Sequence, residues 1–265
     1  MKSRFSVFAG FVFYLTIISA CTPSQTQLAT KKINLAKVLL ATGDTINSLL
    51  HLDSIPGLYP DARAEAHKAK EISYKIYEAK LTRQREKLTA SQKIIGSLIS
   101  EFRAEKGEFS KSTSYVHNRQ TIDQNWTRSF IQVVVNEKGG LTLLSNYYGE
   151  KWLNHTSFRI VGEGFSAKSD SVALDQVNNH HGDFNGSMWE RITYNNSPQA
   201  DALIALIAAS NGKKMKAIYQ GATTYIFWIE DFDKKAIKDA FDLSKAFKIK
   251  SEAEKMIPEL EKKIK

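Results

Sequence analysis

The chain has 265 residues, a net charge of +9 at pH 7 and a single cysteine, Cys21. One cysteine excludes an intramolecular disulfide and a thiolate metal cluster. The length suffices for one ordinary hydrophobic core with an accessory element, and the basic balance favours anionic surfaces as partners.

The N-terminal residues have the order of a secretory signal. Two basic residues precede an apolar run from Phe5 to Ala20, which is shorter than the roughly 20 residues of a membrane-spanning helix. The run ends in Ile18-Ser-Ala-Cys21, which resembles the lipobox of bacterial lipoproteins, although Leu is usual at its first position. The resemblance implies that residues 1–20 are a signal peptide, that Cys21 receives a diacylglyceryl group, and that the new amine is acylated, as palmitate labelling would detect.

On this interpretation, residues 21–26 form a short tether, and the protein is anchored by lipid to the outer or inner membrane of a cell envelope, facing the periplasm or the surface. Two alternatives stay open. The signal could be an ordinary cleaved one followed by an incidental cysteine. The protein could also be a secreted eukaryotic one, because Asn125-Trp-Thr and Asn154-His-Thr match the glycosylation pattern.

Two helical patterns follow the tether. The first has an apolar stripe with alternating spacings of four and three, at Leu35, Leu39, Thr42, Ile46 and Leu49. Pro56 and Pro60 end it, because the residue before a proline disfavours helix. A second helix is predicted from about Ala62 to about Lys106. Its seam is coiled-coil-like and consists of Tyr74, Tyr77, Leu81, Gln84, Leu88, Ser91, Ile95, Leu98 and Phe102.

Residues 27–106 are therefore predicted to form a helical hairpin stalk. The seam of the long helix is narrow and needs a partner surface. The first helix, folded back across the proline turn, is the favoured partner because the connection is short and both stripes have the same period. A second copy of the chain is the alternative, and it would make the protein a homodimer through the long helix.

The remaining residues favour strands. Residues 107–248 are rich in β-branched and aromatic residues, and they predict an antiparallel β-rich head domain with two or three helices. Glycines at 139–140 and at 221 mark two hairpin turns, and Ser197-Pro198 marks the start of a short helix. A helix from Asp233 to about residue 247 and a separate charged helix over residues 249–265 complete an α+β fold.

Several aromatic motifs in this head carry a second resemblance. The order Tyr147-Tyr-Gly149 with Trp152, Met188-Trp-Glu190, Ile218-Tyr-Gln-Gly221 and Lys234-Lys-Ala-Ile237 is similar to that of a group of uncharacterised bacterial β-rich domains. The resemblance supports the head domain and implies no activity.

One polar segment is a candidate metal site. The sequence Asn178-Asn-His-His-Gly-Asp places His180, His181 and Asp183 within four residues, and a glycine-containing loop could aim them at one ion. Adjacent histidines in a strand would instead point to opposite faces. The alternative interpretation is a polar surface loop. A calcium loop has oxygen-bearing side chains at alternating positions, and after Asp183 this alternation stops after two positions.

The sequence lacks the motifs of common catalytic machinery. It has no Gly-x-Ser-x-Gly elbow and no phosphate-binding glycine loop, and lipid attachment would occupy its only cysteine. Glu230, Asp231 and Asp233 are interpreted as helix-capping residues and Glu190 as a solvated strand residue. No catalytic residue and no cofactor are assigned, and a non-enzymatic role is favoured.

The aromatic residues give the candidate binding site. Tyr147, Tyr148, Trp152 and Trp189 could line a groove for a peptide or a glycan, although such residues also build the core of β domains. Trp228 lies in a run that is apolar on both faces, which predicts burial beneath a helix.

The charge is concentrated in the helical part, where residues 31–111 contain 15 Lys/Arg against 10 Asp/Glu. An export signal argues against nucleic acid as the partner, so lipid phosphates or anionic wall polymers fit these charges better. The charges could equally be solvated helix faces. The sequence thus predicts a lipid-anchored envelope protein that presents a head for binding an envelope protein, peptide or glycan. The alternative is a metal-dependent envelope enzyme that uses the histidine segment.

Overall fold

The computed structural model describes residues 23–106, 112–175, 177–195, 197–210 and 212–265. The predicted signal peptide and Cys21 lie outside these residues. The fold is α+β, as the sequence predicts. The chain divides into two compact units, a helical unit up to Glu78 and a β-rich unit from Ala79 onward.

The helices are α1 (Gln25–Ala41), α2 (Thr45–Asp53), α3 (Ile55–Leu58), α4 (Arg63–Leu98), α5 (Ile122–Asn125), α6 (Pro198–Ala209) and α7 (Asp231–Ile264). The strands are β1 (Phe102–Glu105), β2 (Ser114–His117), β3 (Phe130–Asn136), β4 (Leu141–Gly149), β5 (Ser157–Gly162), β6 (Phe165–Lys168), β7 (Asn179–Phe184), β8 (Ser187–Asn195), β9 (Met215–Gln220) and β10 (Thr224–Trp228). Helix α4 contributes residues to both units.

The helical unit has its own small core. Helices α1, α2 and α3 and the first part of α4 enclose an apolar cluster in which Ile33, Leu52 and Ile55 are at most 5% exposed. A polar contact supplements it, because Asp53 accepts hydrogen bonds from Ser73 Oγ at 3.3 Å and from Tyr77 OH at 3.2 Å. These bonds tie the end of α2 to α4.

The predicted apolar stripe across the first two helices is wrong. Gly43 has a φ of +86°, a left-handed conformation that ends α1 and changes the direction of the chain before α2. Asp44 then caps α2 by accepting a hydrogen bond from the Asn47 amide at 3.1 Å. Helix α1 buries Ala29, Ile33 and Ala36 instead of the predicted stripe, and Leu35 and Ile46 are 46% and 77% exposed.

In the β-rich unit, the seam of α4 is buried as its spacing predicts. Gln84 and Ser91 are 8% and 2% exposed. Helix α7 supplies a contact to this part of α4, because Arg85 Nη2 lies 2.8 Å from Glu261 Oε1. The predicted end of the helix at about Lys106 is wrong: α4 ends at Leu98, and the chain enters a strand four residues later.

Two antiparallel sheets form the β-rich unit. The six-stranded sheet has the order β1-β2-β3-β4-β8-β7, and the four-stranded sheet has the order β10-β9-β5-β6. The β3–β4 hairpin turns at Gly139, whose φ is +80°, and the β9–β10 hairpin turns around Gly221, so both predicted hairpins are confirmed.

The core of the β-rich unit lies where the two sheets and α6 and α7 meet. Leu143 of the six-stranded sheet, Phe158 of the four-stranded sheet, Leu203 of α6 and Leu243 of α7 belong to one cluster and are at most 1% exposed. Ser197 caps α6 by accepting a hydrogen bond from Ala200 N at 3.0 Å, as its sequence predicts.

Helix α7 is one continuous helix rather than the predicted pair. It runs from Asp231 to Ile264 through the expected break near residue 250. The apolar residues Ala246, Ala253 and Leu260 continue its buried stripe past that point, and each is at most 8% exposed. Tertiary burial along this stripe therefore keeps the chain in one helix where the sequence predicts two.

Candidate functional site

The outer face of the six-stranded sheet carries the candidate site. Side chains alternate between the faces of a strand, and Ser145 and Tyr147 point into the core, so Asn146 and Tyr148 lie on the opposite face. The register places Trp189 directly across from Tyr148, and Arg191 directly across from Asn146. The center of this face is therefore a block of two aromatic and two polar side chains.

The segment between β2 and β3 forms a wall beside this block. Strand β2 pairs with β3 only up to Val134, which leaves the edge of β3 free beyond it. The Gln120 side chain forms hydrogen bonds with the backbone at that edge: Nε2 donates to Ile131 O at 2.8 Å, and Oε1 accepts from Val133 N at 3.3 Å. A glutamine thus replaces a strand as the hydrogen-bonding partner, and this fixes the position of the segment that follows it.

A buried ion pair holds the far end of the wall. Arg128 donates to both carboxylate oxygens of Asp233, at 2.6 and 2.8 Å, and its guanidinium stacks on Phe130 and Phe232. Asp233 is 1% exposed and also accepts from Gln120 Nε2 at 3.1 Å. Asp233 lies in the first turn of α7, but its carboxylate is a buried counter-ion of Arg128 rather than the predicted helix cap.

Between the wall and the sheet lies a shallow cleft, which we call the outer-face cleft. It contains about 310 Å³ of space, including its open mouth, and offers about 30 Å³ to the centres of water-sized molecules. That is room for about two waters, so the cleft admits a small functional group rather than a whole ligand. The side chains that define the cleft are Trp126, Arg128, Asn146, Tyr148, Trp189 and Arg191.

Arg191 supplies a cation to the cleft that has no directly paired carboxylate. Its Nε donates to Asn146 Oδ1 at 2.8 Å, and no carboxylate of the described residues forms an ion pair with its guanidinium. Burial lowers the pKa of Arg191 from its ordinary value, against the opposing charge of Glu105. The guanidinium stays protonated in proteins, so the cleft holds a partly dehydrated cation that Glu105 influences without pairing with it.

Asn146 adds an unused donor to the same place. The residue is 7% exposed and lines the cleft. Its Oδ1 is occupied by Arg191, whereas its Nδ2 is buried and has no hydrogen-bond partner among the residues that the structure describes. A buried donor without an acceptor costs about 1–3 kcal/mol, so an acceptor from a ligand would relieve it.

Three of the four predicted aromatic binding residues, Tyr147, Tyr148 and Trp189, are among those that line the cleft. The Tyr147 side chain is 8% exposed and packs in the core, where its hydroxyl donates to Lys151 O at 2.9 Å. Trp152 is not among the lining residues; it is 39% exposed and contacts His181 edge-on at 5.6 Å.

Two other tryptophans are exposed. Trp126, which belongs to the aromatic residues that could line a groove, is 44% exposed, lines the cleft and packs edge-on against Phe184 at 5.8 Å. Trp228 is 62% exposed, so its predicted burial is wrong. It lies on β10, at the edge of the four-stranded sheet.

The candidate metal residues lie on a strand rather than in a loop. His180, His181 and Asp183 belong to β7 and are exposed. Consecutive residues of a strand point to opposite faces, so the two histidines diverge. Within the described part of the chain, no group of three or more His, Cys, Asp or Glu side chains is arranged to hold a metal ion.

Glu190 is the residue that the sequence interpretation missed most clearly. It is 2% exposed rather than solvated, and it accepts the amides of Leu153, Asn154 and His155 at 2.7 to 2.9 Å. It also accepts from His155 Nδ1 at 2.6 Å. Burial raises the pKa of the Glu190 carboxyl, but these hydrogen bonds outweigh it and leave the pKa below its ordinary value. The residue therefore acts as a buried anion in a loop of backbone donors.

The same glutamate completes a chain of contacts that resembles a hydrolase triad. His155 Nε2 lies 2.9 Å from Ser145 Oγ. Both Ser145 and His155 are 0% exposed, and His155 stacks on the buried Tyr219 ring at 4.8 Å. A nucleophile must reach its substrate, so this arrangement is structural: it attaches the loop before β5 to the six-stranded sheet.

Two larger grooves lie elsewhere in the β-rich unit. One, of about 470 Å³, lies between α4 and α7 and exposes Ile94 and Ile249. The other, of about 550 Å³, is lined by Asp231, Lys235 and Asp239, whose charges largely pair with one another and with neighbouring lysines. Neither is lined by an unpaired buried polar group, which distinguishes them from the outer-face cleft.

None of the helices in the described part of the chain is both long and apolar enough to cross a membrane. Comparison with protein-family models, with curated proteins and with solved structures finds no match to this chain.

Proposed function

We propose that the protein is a lipid-anchored cell-envelope protein whose β-rich unit binds a glycan in the outer-face cleft. The observation that carries the proposal is the combination of exposed aromatic rings with unpaired polar groups at one place. Trp126, Tyr148 and Trp189 offer apolar ring surface, while Asn146 and Arg191 offer hydrogen-bond donors. Small-ligand sites have this composition of aromatic walls with a few placed polar groups.

A glycan fits the cleft better than a peptide does. The cleft is shallow, and its room for about two waters is too small for most apolar side chains of a peptide. An extended peptide would pair with a free strand edge, such as that of β7, rather than lie on a sheet face. A sugar ring presents an apolar face for the aromatic residues and hydroxyl groups for the polar ones.

Binding without cleavage fits the lining of the cleft. Glycoside hydrolysis uses two carboxyl groups on either side of the scissile bond. Glu190 is the carboxylate among the lining residues, and its two oxygens are already occupied by four hydrogen bonds. The Asp233 carboxylate that anchors the wall is likewise occupied by Arg128.

The helical unit supports the membrane part of the proposal. Helix α1 begins at Gln25, so at most about 14 Å of extended chain separates it from Cys21. Leu35 and Val38 are exposed, and they lie on the opposite side of α1 from the buried Ile33, next to Lys31. An apolar stripe beside lysines suits the surface of a bilayer that contains anionic lipid.

The glycan part is tested by titrating the full-length protein, purified in detergent, with two tetrasaccharides and following tryptophan fluorescence. One probe contains only N-acetylglucosamine, and the other alternates it with N-acetylmuramic acid. We expect at least one probe to bind, and Trp189→Ala to weaken binding by about tenfold, the effect of losing one well-packed aromatic contact. Trp228→Ala is the matched control, because Trp228 is exposed on the other sheet. Binding of neither probe, or equal effects of the two variants, would exclude the proposal.

The anchor is tested by metabolic palmitate labelling with membrane fractionation of the wild type and Cys21→Ser. We expect the wild type to carry label and to stay in the membrane fraction, and the variant to lose both. A wild type that is unlabelled and soluble would refute lipid anchoring and reopen the secreted alternatives.

A further inference from the structure

We infer that the outer-face cleft selects glycans that carry a carboxylate, with Arg191 as the residue that binds it. The inference rests on the proposed glycan-binding function and specifies the ligand class of the same site. Two independent observations support it, one of charge and one of hydrogen bonding.

The charge observation is that the Arg191 guanidinium forms no ion pair with a carboxylate of the described residues. Of the two arginines at the cleft, Arg128 is neutralised by both oxygens of Asp233, at 2.6 and 2.8 Å. Among the described residues, Arg191 forms a hydrogen bond only with the neutral Asn146 Oδ1, at 2.8 Å from Nε, and Glu105 acts on its charge without forming an ion pair. Its terminal guanidinium nitrogens therefore stay available, and a carboxylate is the planar anion that can accept two parallel hydrogen bonds from such a group.

The hydrogen-bonding observation is the unused amide of Asn146. The side chain is held by Arg191 on its oxygen, so its Nδ2 is the end that remains free to donate. Asn146 and Arg191 face each other across β4 and β8. Their free donors are therefore neighbours, and a single carboxylate can satisfy both.

The size of the cleft agrees with this ligand. The cleft offers about 30 Å³ to the centres of water-sized molecules, which admits a carboxylate but excludes a sugar ring. The ring must then lie at the open mouth, where Trp126 is 44% exposed and Trp189 is partly exposed. A carboxylate branching from a sugar reaches inward while the ring stays on the aromatic residues.

The ligand itself provides the first test. The full-length protein in detergent is titrated with three tetrasaccharides: the N-acetylglucosamine tetramer, the tetramer alternating with N-acetylmuramic acid, and the latter with its carboxyl groups reduced to alcohols. We expect the carboxylated probe to bind about 10- to 100-fold more tightly than the other two, the range for a charge-assisted hydrogen-bonded pair.

Substitutions provide the second test. We expect Arg191→Gln to abolish the preference for the carboxylated probe, and Arg159→Gln to retain it, because Arg159 is exposed on the four-stranded sheet. We expect Asn146→Asp to lose binding of the carboxylated probe while its thermal stability equals or exceeds that of the wild type, since the new carboxylate would neutralise Arg191. This variant separates lost binding from lost folding.

The outcomes distinguish the inference from the function on which it rests. Equal affinity for all three probes, or a preference that survives Arg191→Gln in a folded protein, would overturn carboxylate selection and leave glycan binding standing. No binding of any probe would overturn both proposals.

Discussion

Glu190 Oε2 and His155 Nδ1 lie 2.6 Å apart inside the β-rich unit, and the same carboxylate accepts three consecutive backbone amides of the loop that contains His155. One side chain of β8 therefore holds a whole loop in place. The neighbouring residue on each side, Trp189 and Arg191, points to the opposite face and reaches the outer-face cleft. The buried contact and the candidate site thus depend on the same strand.

We expect Glu190→Gln to lower the free energy of unfolding by about 3 kcal/mol, because a neutral amide cannot replace an anion that accepts four hydrogen bonds. Urea unfolding followed by circular dichroism measures the change. Glu163→Gln is the matched control, since Glu163 is exposed between β5 and β6 and should leave the midpoint unchanged. Equal midpoints for the two variants would mean that Glu190 does not hold the loop.

We expect stability to fall between about pH 7 and pH 5 because of His117. This residue is 2% exposed, and burial lowers its pKa below the ordinary value, against the opposing effect of Asp239. Nδ1 accepts a hydrogen bond from Arg119 N at 3.1 Å, which requires the unprotonated nitrogen. Lys235 also disfavours the protonated ring, while Glu101 favours it.

The sign follows from which state binds the proton first. The unfolded chain protonates His117 near its ordinary pKa of about 6.5, whereas the folded chain does so at lower pH, so stability is full above that value and is lost as pH falls through it. His117→Asn keeps an acceptor for Arg119 and should flatten this part of the profile of melting temperature against pH. His67→Asn, on an exposed part of α4, should not. If His117→Asn left the profile unchanged, a group other than His117 would cause the dependence of melting temperature on pH.

We expect Gln120→Ala to destabilise the β-rich unit by about 2 kcal/mol, because it leaves Val133 N and Ile131 O without their hydrogen-bond partner at the free edge of β3. Amide hydrogen exchange should report the loss locally, with faster exchange at Val133. Gln124→Ala, at an exposed position of the same segment, is the control. If the exchange rate of Val133 were unchanged, water would replace the Gln120 side chain as the hydrogen-bonding partner of β3 without loss.

We expect the exposed stripe of α1 to bind lipid independently of the anchor. The mature-length chain with Cys21→Ser is sedimented with vesicles of phosphatidylcholine and phosphatidylglycerol. Leu35→Glu combined with Val38→Glu should weaken association by about tenfold. Thr30→Glu combined with Asn34→Glu adds the same charge at other exposed positions of α1 and should weaken it less. Equal losses would mean that charge alone decides association.

Local patterns predicted much of the fold. The glycines at 139 and 221 and the Ser197-Pro198 pair gave correct turns and a correct helix start, because these signals act locally. Gly139 has a φ of +80°, whereas Gly221 lies so close to Leu153 O that a side chain would not fit. The seam of α4 was predicted because its period is set by helix geometry. Gly43 was not recognised as the residue that separates α1 from α2, although a glycine at this position was the available signal.

The candidate site was predicted only in part, for a physical reason. Tyr148 and Trp189 could be named from their residue types. The role of Arg191 depends on the absence of an ion-paired carboxylate beside it. The role of Glu190 depends on backbone amides in a loop more than 30 residues earlier in the chain. The alternation of side chains along β8 was a signal that could have placed Trp189 and Arg191 on the same face. No local pattern indicates which carboxylates are already paired.

The core of the β-rich unit places Phe102, at the start of its first strand, in one cluster with Phe247, near the middle of its last helix. Folding of this core therefore waits until nearly the whole unit has been delivered, and the long sequence separations of its contacts make closure slow. Truncation of the chain anywhere before Phe247 would therefore leave this core incomplete.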